Sequence, residues 1–160
     1  METFMIRQAN ADDLHDLIVL YRHFNPGTPE LPPGKAPEIW ERMQRYPDYR
    51  VYMAEGTTGL YGAFSLLIMD NLGHGGAPAG IVENVIVAPE YRGRGVGKRM
   101  MEYAMERCRE AGCYKLTLSS NMNRLGAHRF YESLGFQKHG YSFLVTPGPA
   151  APGELPESLE

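Results

Sequence analysis

The stretch Glu83-Asn84-Val85-Ile86-Val87-Ala88-Pro89-Glu90-Tyr91-Arg92-Gly93-Arg94-Gly95-Val96-Gly97-Lys98 decides the reading of this chain. An apolar run ends in Val-Ala-Pro, a turn of glycine and arginine follows, and a helical pattern begins at about Gly95. Glycine admits backbone conformations that expose several N–H groups on one side, and the helix behind them adds the positive end of its dipole. Such a turn is a receptor for phosphate groups. Arg92, Arg94, Lys98 and Arg99 lie within eight residues that hold no acid, a local excess suited to an anionic ligand.

Spacing excludes two phosphate motifs. A nucleoside-triphosphate loop needs G-x-x-x-x-G-K-[ST], but Arg99 follows Gly97-Lys98 and Arg92 stands where the first glycine belongs. A dinucleotide fingerprint, G-x-G-x-x-G, would need glycine at position 98, which is Lys98. What fits is R-x-x-G-x-G, carried by Arg92, Gly95 and Gly97.

Working outward, the elements alternate. Phe4 to Arg7 reads as a strand, and Asn10 offers an N-cap to an amphipathic helix over 11–22 with Asp12 and Asp13 in its first turn. Residues 23–37 hold five prolines and two glycines and read as an irregular loop over a binding site. A second helix runs from Pro37 to Tyr46. Arg50–Glu55 and Leu60–Met69 read as strands joined by Gly56-Thr57-Thr58-Gly59, and Gly80–Val87 as the next strand. A third helix spans Gly95 to Glu110, with a methionine stripe that belongs in the core, and ends at Gly112. Lys115–Ser120 reads as a strand, Ala127–Leu134 as a short helix, and Phe136–Val145 as a final strand. This order predicts an α+β or mixed α/β fold.

At 160 residues the chain suits one domain, expected over 1–146, with a flexible Pro/Gly/Glu-rich tail over 147–160. A net charge of −3 gives no global reason to expect a nucleic-acid or membrane partner. No apolar run approaches the roughly 18 residues of a membrane span. The start, Met-Glu-Thr-Phe-Met-Ile-Arg, lacks the basic and apolar regions of a signal peptide, so a cytoplasmic location is expected. Cys108 and Cys113 form no CxxC pair, and the five histidines, at 15, 23, 74, 128 and 139, show no ligand spacing, so no metal is expected.

Together with Ala127-His128-Arg129-Phe130-Tyr131-Glu132-Ser133-Leu134-Gly135-Phe136, the R-x-x-G-x-G turn resembles the Gcn5-related N-acetyltransferase superfamily. The element order over residues 3–145 agrees. The resemblance implies the acyl-CoA N-acyltransferase fold: a mixed, mostly antiparallel sheet of six or seven strands, about four flanking helices, and a splay between the fourth and fifth strands. It implies acetyl-CoA as cosubstrate, bound by Arg92, Gly93, Arg94, Gly95, Val96, Gly97 and Lys98. The pantetheine arm would pair with the strand edge at Val85, Ile86 and Val87. It also implies direct acetyl transfer to a primary amine in a ternary complex.

Two residues are candidates for the chemistry. Tyr131 matches the family tyrosine facing the coenzyme sulfur, where its hydroxyl can protonate the departing thiolate; the alternative is an aromatic packed in a helix face. Glu83 is a carboxylate in an otherwise apolar strand, a base or a binder for the amine; the alternative is a rim carboxylate. Strand alternation places Glu83, Val85 and Val87 on one face. Many family members carry a coenzyme-contacting asparagine seven residues before the tyrosine. That position is Arg124 here, and Asn121 and Asn123 lie nearby, with Asn123 the candidate to replace it. The strand around 81–87 with Cys113–Leu118 looks like glucosamine-6-phosphate acetyltransferases, and the 127–131 run looks like aminoalkylphosphonate acetyltransferases. Both imply a small polar amine as acceptor. A peptide or protein acceptor, or a non-catalytic coenzyme A-binding module, are the alternatives. A homodimer through the last strand and tail is also an expectation of the resemblance.

Overall fold

The computed structural model describes residues 3–24, 27–145 and 147. Five strands form one sheet in the order β1-β2-β3-β4-β5. They are β1 (Phe4–Gln8), β2 (Tyr49–Gly56), β3 (Gly59–Met69), β4 (Ala79–Val87) and β5 (Lys115–Thr117). The first four pair antiparallel and β5 runs parallel to β4. The helices are α1 (Leu14–Tyr21), α2 (Ala36–Gln44), α3 (Val96–Glu110) and α4 (Leu125–Ser133). This is the mixed α+β architecture that the element order predicts, with one strand fewer than the lowest expected number among the described residues.

The apolar periodicities explain the two layers. On one face Tyr52, Phe64, Leu66 and Val82 meet the Val96, Met100, Met101, Ala104 and Cys108 row of α3. The methionines are core, both Met100 and Met101 being fully buried. On the other face Val51, Met53, Ala63 and Ile86 meet Leu17 and Leu20 of α1 and Trp40 of α2. The start of the first helix is fixed by a capping box. Asn10 Oδ1 accepts from the Asp12 N–H and the Asp13 carboxylate accepts from the Asn10 N–H. A 3-10 turn over Ala11–Asp13 precedes α1, so the expected single helix over 11–22 is tightened at its first turn. Arg7 ties β1 to that turn and to β2, donating to Asp13 at 2.8 Å and Glu55 at 2.7 Å. The Arg7 guanidinium holds the Asp13 carboxyl below the usual carboxylate range.

Two strand expectations are corrected. Ladder pairing of β5 stops at Thr117, so the segment Leu118–Ser120 continues without a partner. Residues 136–145 form no strand: Tyr141 and Phe143 are 89% and 92% exposed, and Leu144 and Val145 are exposed as well. The apolar alternation at 141, 143 and 145 is present, but alternation confers a strand only where a neighbouring backbone supplies the ladder. The contact seen here is between side chains, Ser119 Oγ and Ser142 Oγ at 3.3 Å. The expected tail falls outside the described residues except for Pro147. No helix of the described residues is long and apolar enough to cross a membrane.

Candidate active site

The site begins where β4 and β5 part. Their parallel register covers only Ala79↔Lys115, Gly80↔Leu116 and Ile81↔Thr117. From Val82 onward β4 is laddered to β3 alone, and its other edge faces the gap. The expected splay between the fourth and fifth strands is therefore present. Within the gap β4 bulges. Ser65 pairs with Glu83 and Ala63 with Ile86, so Asn84 and Val85 together oppose Phe64 alone. Asn84 takes φ = 53°, a left-handed conformation that costs about 1–2 kcal/mol in most side chains and that asparagine tolerates best.

The bulge corrects the expected facing of β4. Val82, Val85 and Val87 all pack towards α3, although strict alternation would put Val82 and Val85 on opposite faces. Glu83 pairs with the buried Ser65 on the side of α1 and α2, so it does not share a face with Val85 and Val87. Ile86 is only 5% exposed and packs with Leu17 and Trp40. Of the three residues expected to pair with pantetheine, Ile86 can offer only backbone. The Val87 carbonyl already accepts a bond from Arg92 Nε at 3.1 Å.

The glycine turn follows at once. Pro89–Tyr91 forms a 3-10 turn pinned by Tyr91, whose ring stacks on Tyr61 with centroids 3.8 Å apart. The Tyr91 hydroxyl meets Thr58 Oγ1 at 2.7 Å. Gly93 and Gly95 have φ of 74° and 81°, conformations that favour glycine. Gly95 is the N-cap of α3 and no side chain caps that helix. The N–H groups of Val96, Gly97 and Lys98 are thus the donors that helix geometry leaves over. Gly97 serves packing instead. A Cβ there would lie 3.1 Å from Phe130 Cζ, so its absence lets α3 pass close to α4. Arg94 lies over the Tyr91 ring at 5.5 Å, and Lys98 pairs with Glu102 at 3.8 Å.

A cleft of about 170 Å³ opens beside the bulge. Glu83, Asn84, Arg124 and Tyr131 line it, with Phe24 from the loop after α1 and Ser120 from the segment beyond β5. The two candidate catalytic residues, 48 positions apart in sequence, are therefore brought to one cavity. Tyr131 is half-buried, its ring set edge-on against Phe136 at 5.7 Å. Burial raises its phenol pKa above the ordinary phenol value, while the nearby Arg124 guanidinium acts the other way. The hydroxyl thus stays protonated at neutral pH. Ser120 Oγ is buried without a hydrogen-bond partner among the described residues. An unsatisfied buried hydroxyl costs about 1–3 kcal/mol, so it is a group a ligand can satisfy.

The asparagines before α4 divide their work. Asn121 shapes the loop: its Oδ1 accepts from the Asn123 N–H at 2.8 Å, and its carbonyl accepts from the Arg124 N–H and contacts His128 Nε2. Asn123 is exposed and does not line the cleft, whereas Arg124 does. Phe24, Asn84 and Ser120 lie beyond what the sequence reading reaches. Asn84 alone carries a signal, as a residue type enriched in left-handed backbone within an apolar strand. Neither cysteine lines the cleft. Both thiols are free, and burial pushes that of Cys108 up to about 12. Among the described residues no group of three or more His, Cys, Asp or Glu is placed to hold a metal ion.

The chain matches the family model described as the acetyltransferase (GNAT) family over residues 15–136, and it belongs to that family. It is 39% identical over 90 residues to the glucosamine 6-phosphate N-acetyltransferase of Trypanosoma brucei brucei, covering 56% of this chain and 59% of that protein. It is 32% identical over 95 residues to the aminoalkylphosphonate N-acetyltransferase of Salmonella typhimurium, covering 59% of this chain and 60% of that protein. These matches thus span about three-fifths of each relative's length. A solved structure from Agrobacterium tumefaciens str. C58, assigned as an acetyltransferase, superposes with a TM-score of 0.84 at 31% identity. That match covers 89% of this chain and 99% of the other.

Proposed function

We propose that the protein transfers the acetyl group of acetyl-CoA to the primary amine of a small polar acceptor, directly and in a ternary complex. One observation carries the reading: Glu83 and Tyr131 line a single cleft at the unpaired edge of β4, immediately before the 92–98 turn. The N–H groups at the start of α3 would receive the coenzyme pyrophosphate, and the open β4 edge would receive the pantetheine arm. Glu83 accepts a proton from the ammonium, directly or through water, or holds the amine in place. The neutral amine attacks the thioester carbonyl, the C–S bond breaks, and the Tyr131 hydroxyl gives its proton to the leaving thiolate, while the proton that the acylated nitrogen sheds returns to the Tyr131 oxygen, directly or through water. The buried, protonated Cys108 and the absence of either cysteine from the cleft support transfer without an acyl-enzyme. Small amines are the acceptors in the names of the Trypanosoma and Salmonella relatives, which supports the same class here.

An amine panel assayed for thiol release with acetyl-CoA tests the reading. Turnover of at least one small amine, dependent on Tyr131, is expected. Tight acetyl-CoA binding with no turnover of any amine would make the protein a coenzyme-binding module instead. The exposed Tyr141, Phe143 and Val145 support a homodimer. Sedimentation velocity should return about twice the 17.9 kDa chain mass, and a monomer at micromolar concentration would remove that reading.

A further inference from the structure

Glu83 and Arg124 line the same cleft, yet neither is in an ion pair among the described residues, with each other or with any other group. Other charges among the described residues are paired, as at Arg7–Asp13, Lys35–Glu38 and Lys138–Glu132, or stand alone on the surface, as Glu41 and Arg129 do; what sets Glu83 and Arg124 apart is that they share a cavity. Two opposite charges held apart across one small cavity match a ligand that carries both signs. Ser120 adds a buried hydroxyl without a partner to the same lining. Arg124 also occupies the N-cap position of α4, where the helix dipole favours negative charge and where no side chain forms a cap. None of residues 92–98 lines this cleft, so an anion received at Arg124 would lie apart from the glycine turn. Guanidinium geometry matches a phosphate, phosphonate or carboxylate through two parallel bonds.

We propose that Arg124, assisted by Ser120, is a specificity-determining residue that receives an anionic group on the acceptor, so that the preferred acceptor is a zwitterion with its amine at Glu83. This rests on the acetyltransferase reading for its chemistry, but not for its binding. The proton and acetyl transfers are unchanged by it; Arg124 moves no atom.

Two matched pairs test the assignment: 2-aminoethylphosphonate against ethanolamine, and glucosamine 6-phosphate against glucosamine. Calorimetry with coenzyme A bound gives Kd, and thiol release gives KM and kcat. The wild-type protein should bind at least one anionic member about tenfold or more tightly than its uncharged partner. Arg124→Gln should abolish that preference through Kd and KM, with kcat changed less than threefold and acetyl-CoA affinity unchanged. Arg124→Lys should recover part of it. Equal affinity within both pairs for the wild type overturns the proposal. So does a variant whose acetyl-CoA affinity falls by the same factor, or one whose loss lies in kcat alike for all acceptors, which would assign Arg124 to the coenzyme or to Tyr131. Retained anion preference without turnover supports the anion site while removing the acetyltransferase reading. Arg124 is exposed, so loss of folding on substitution is not expected, and an unchanged far-UV spectrum verifies this.

Discussion

The two ends of β4 are built differently. Over Ala79–Ile81 the strand is laddered on both sides, to β3 and to β5, and Gly80 lies so close to Cys108 of α3 that a methyl group would overlap its sulfur. From Val82 on, one edge is open, the backbone bulges at Asn84–Val85, and polar side chains gather around a cavity. The first end uses close packing and completed hydrogen bonds to fix where β5 and α3 lie. The second leaves donors, acceptors and charges available, which a protein interior normally avoids and a binding site needs. The rigid end makes the open one tolerable, because three residue pairs suffice to hold the splayed strand in register.

Substitutions at the two ends should therefore fail in different ways. The largest effect is expected from Tyr131→Phe, which removes the proton source proposed for the thiolate. A fall in kcat of about 100-fold, about 2.7 kcal/mol in the barrier, should accompany acetyl-CoA binding within twofold of wild type. The wild-type alkaline limb should lie on the alkaline side of an ordinary phenol's, because burial raises the phenol pKa, and it should vanish in the variant. An unchanged kcat would take the open end's tyrosine out of the chemistry. Gly80→Ala should act on stability instead, lowering it by about 2 kcal/mol and Tm by roughly 5 °C, with kcat of the folded fraction kept. Cys108→Ala in the same chain should restore part of that loss by making room; a calorimetric Tm unchanged by Gly80→Ala would show that the closed end is slack. The smallest effect concerns Glu83→Gln. Its kcat should fall about tenfold while stability moves by less than about 0.5 kcal/mol, as expected for an exposed carboxylate without an ion pair among the described residues. An unchanged kcat with a raised KM for the amine leaves Glu83 a binding group only.

The same contrast explains how much is legible in the sequence. Helices α1, α3 and α4, the first four strands and the cap at Asn10 follow from periodicity and local chemistry, which act within a few residues. The glycine turn is legible for the same reason, since Gly93 and Gly95 are the residue type that their φ values favour. The cleft is legible only in part. Glu83 and Tyr131 stand out by their chemistry, but Phe24 comes from the loop after α1 and Ser120 from the segment past Thr117, where β5 stops pairing, and nothing in Lys115–Ser120 marks where a ladder ends. The bulge defeats an alternation argument because one extra residue reverses the facing of those after it. The segment 136–145 fails conversely: its pattern is that of a strand, but it joins no ladder among the described residues, and its contact with the 118–120 segment is between the Ser119 and Ser142 side chains.

One consequence of the glycine turn bears on how it should be probed. The donors at Val96, Gly97 and Lys98 belong to the main chain, so no side-chain deletion removes them. An alanine scan across 92–98 would register left-handed strain at 93 and 95 and crowding against Phe130 at 97, and would be blind to the amides themselves. Replacing one of those peptide links by an ester, which deletes a single N–H and leaves every side chain in place, is the perturbation matched to such a surface. By the same token, sequence drift at the neighbouring side chains can proceed without erasing it.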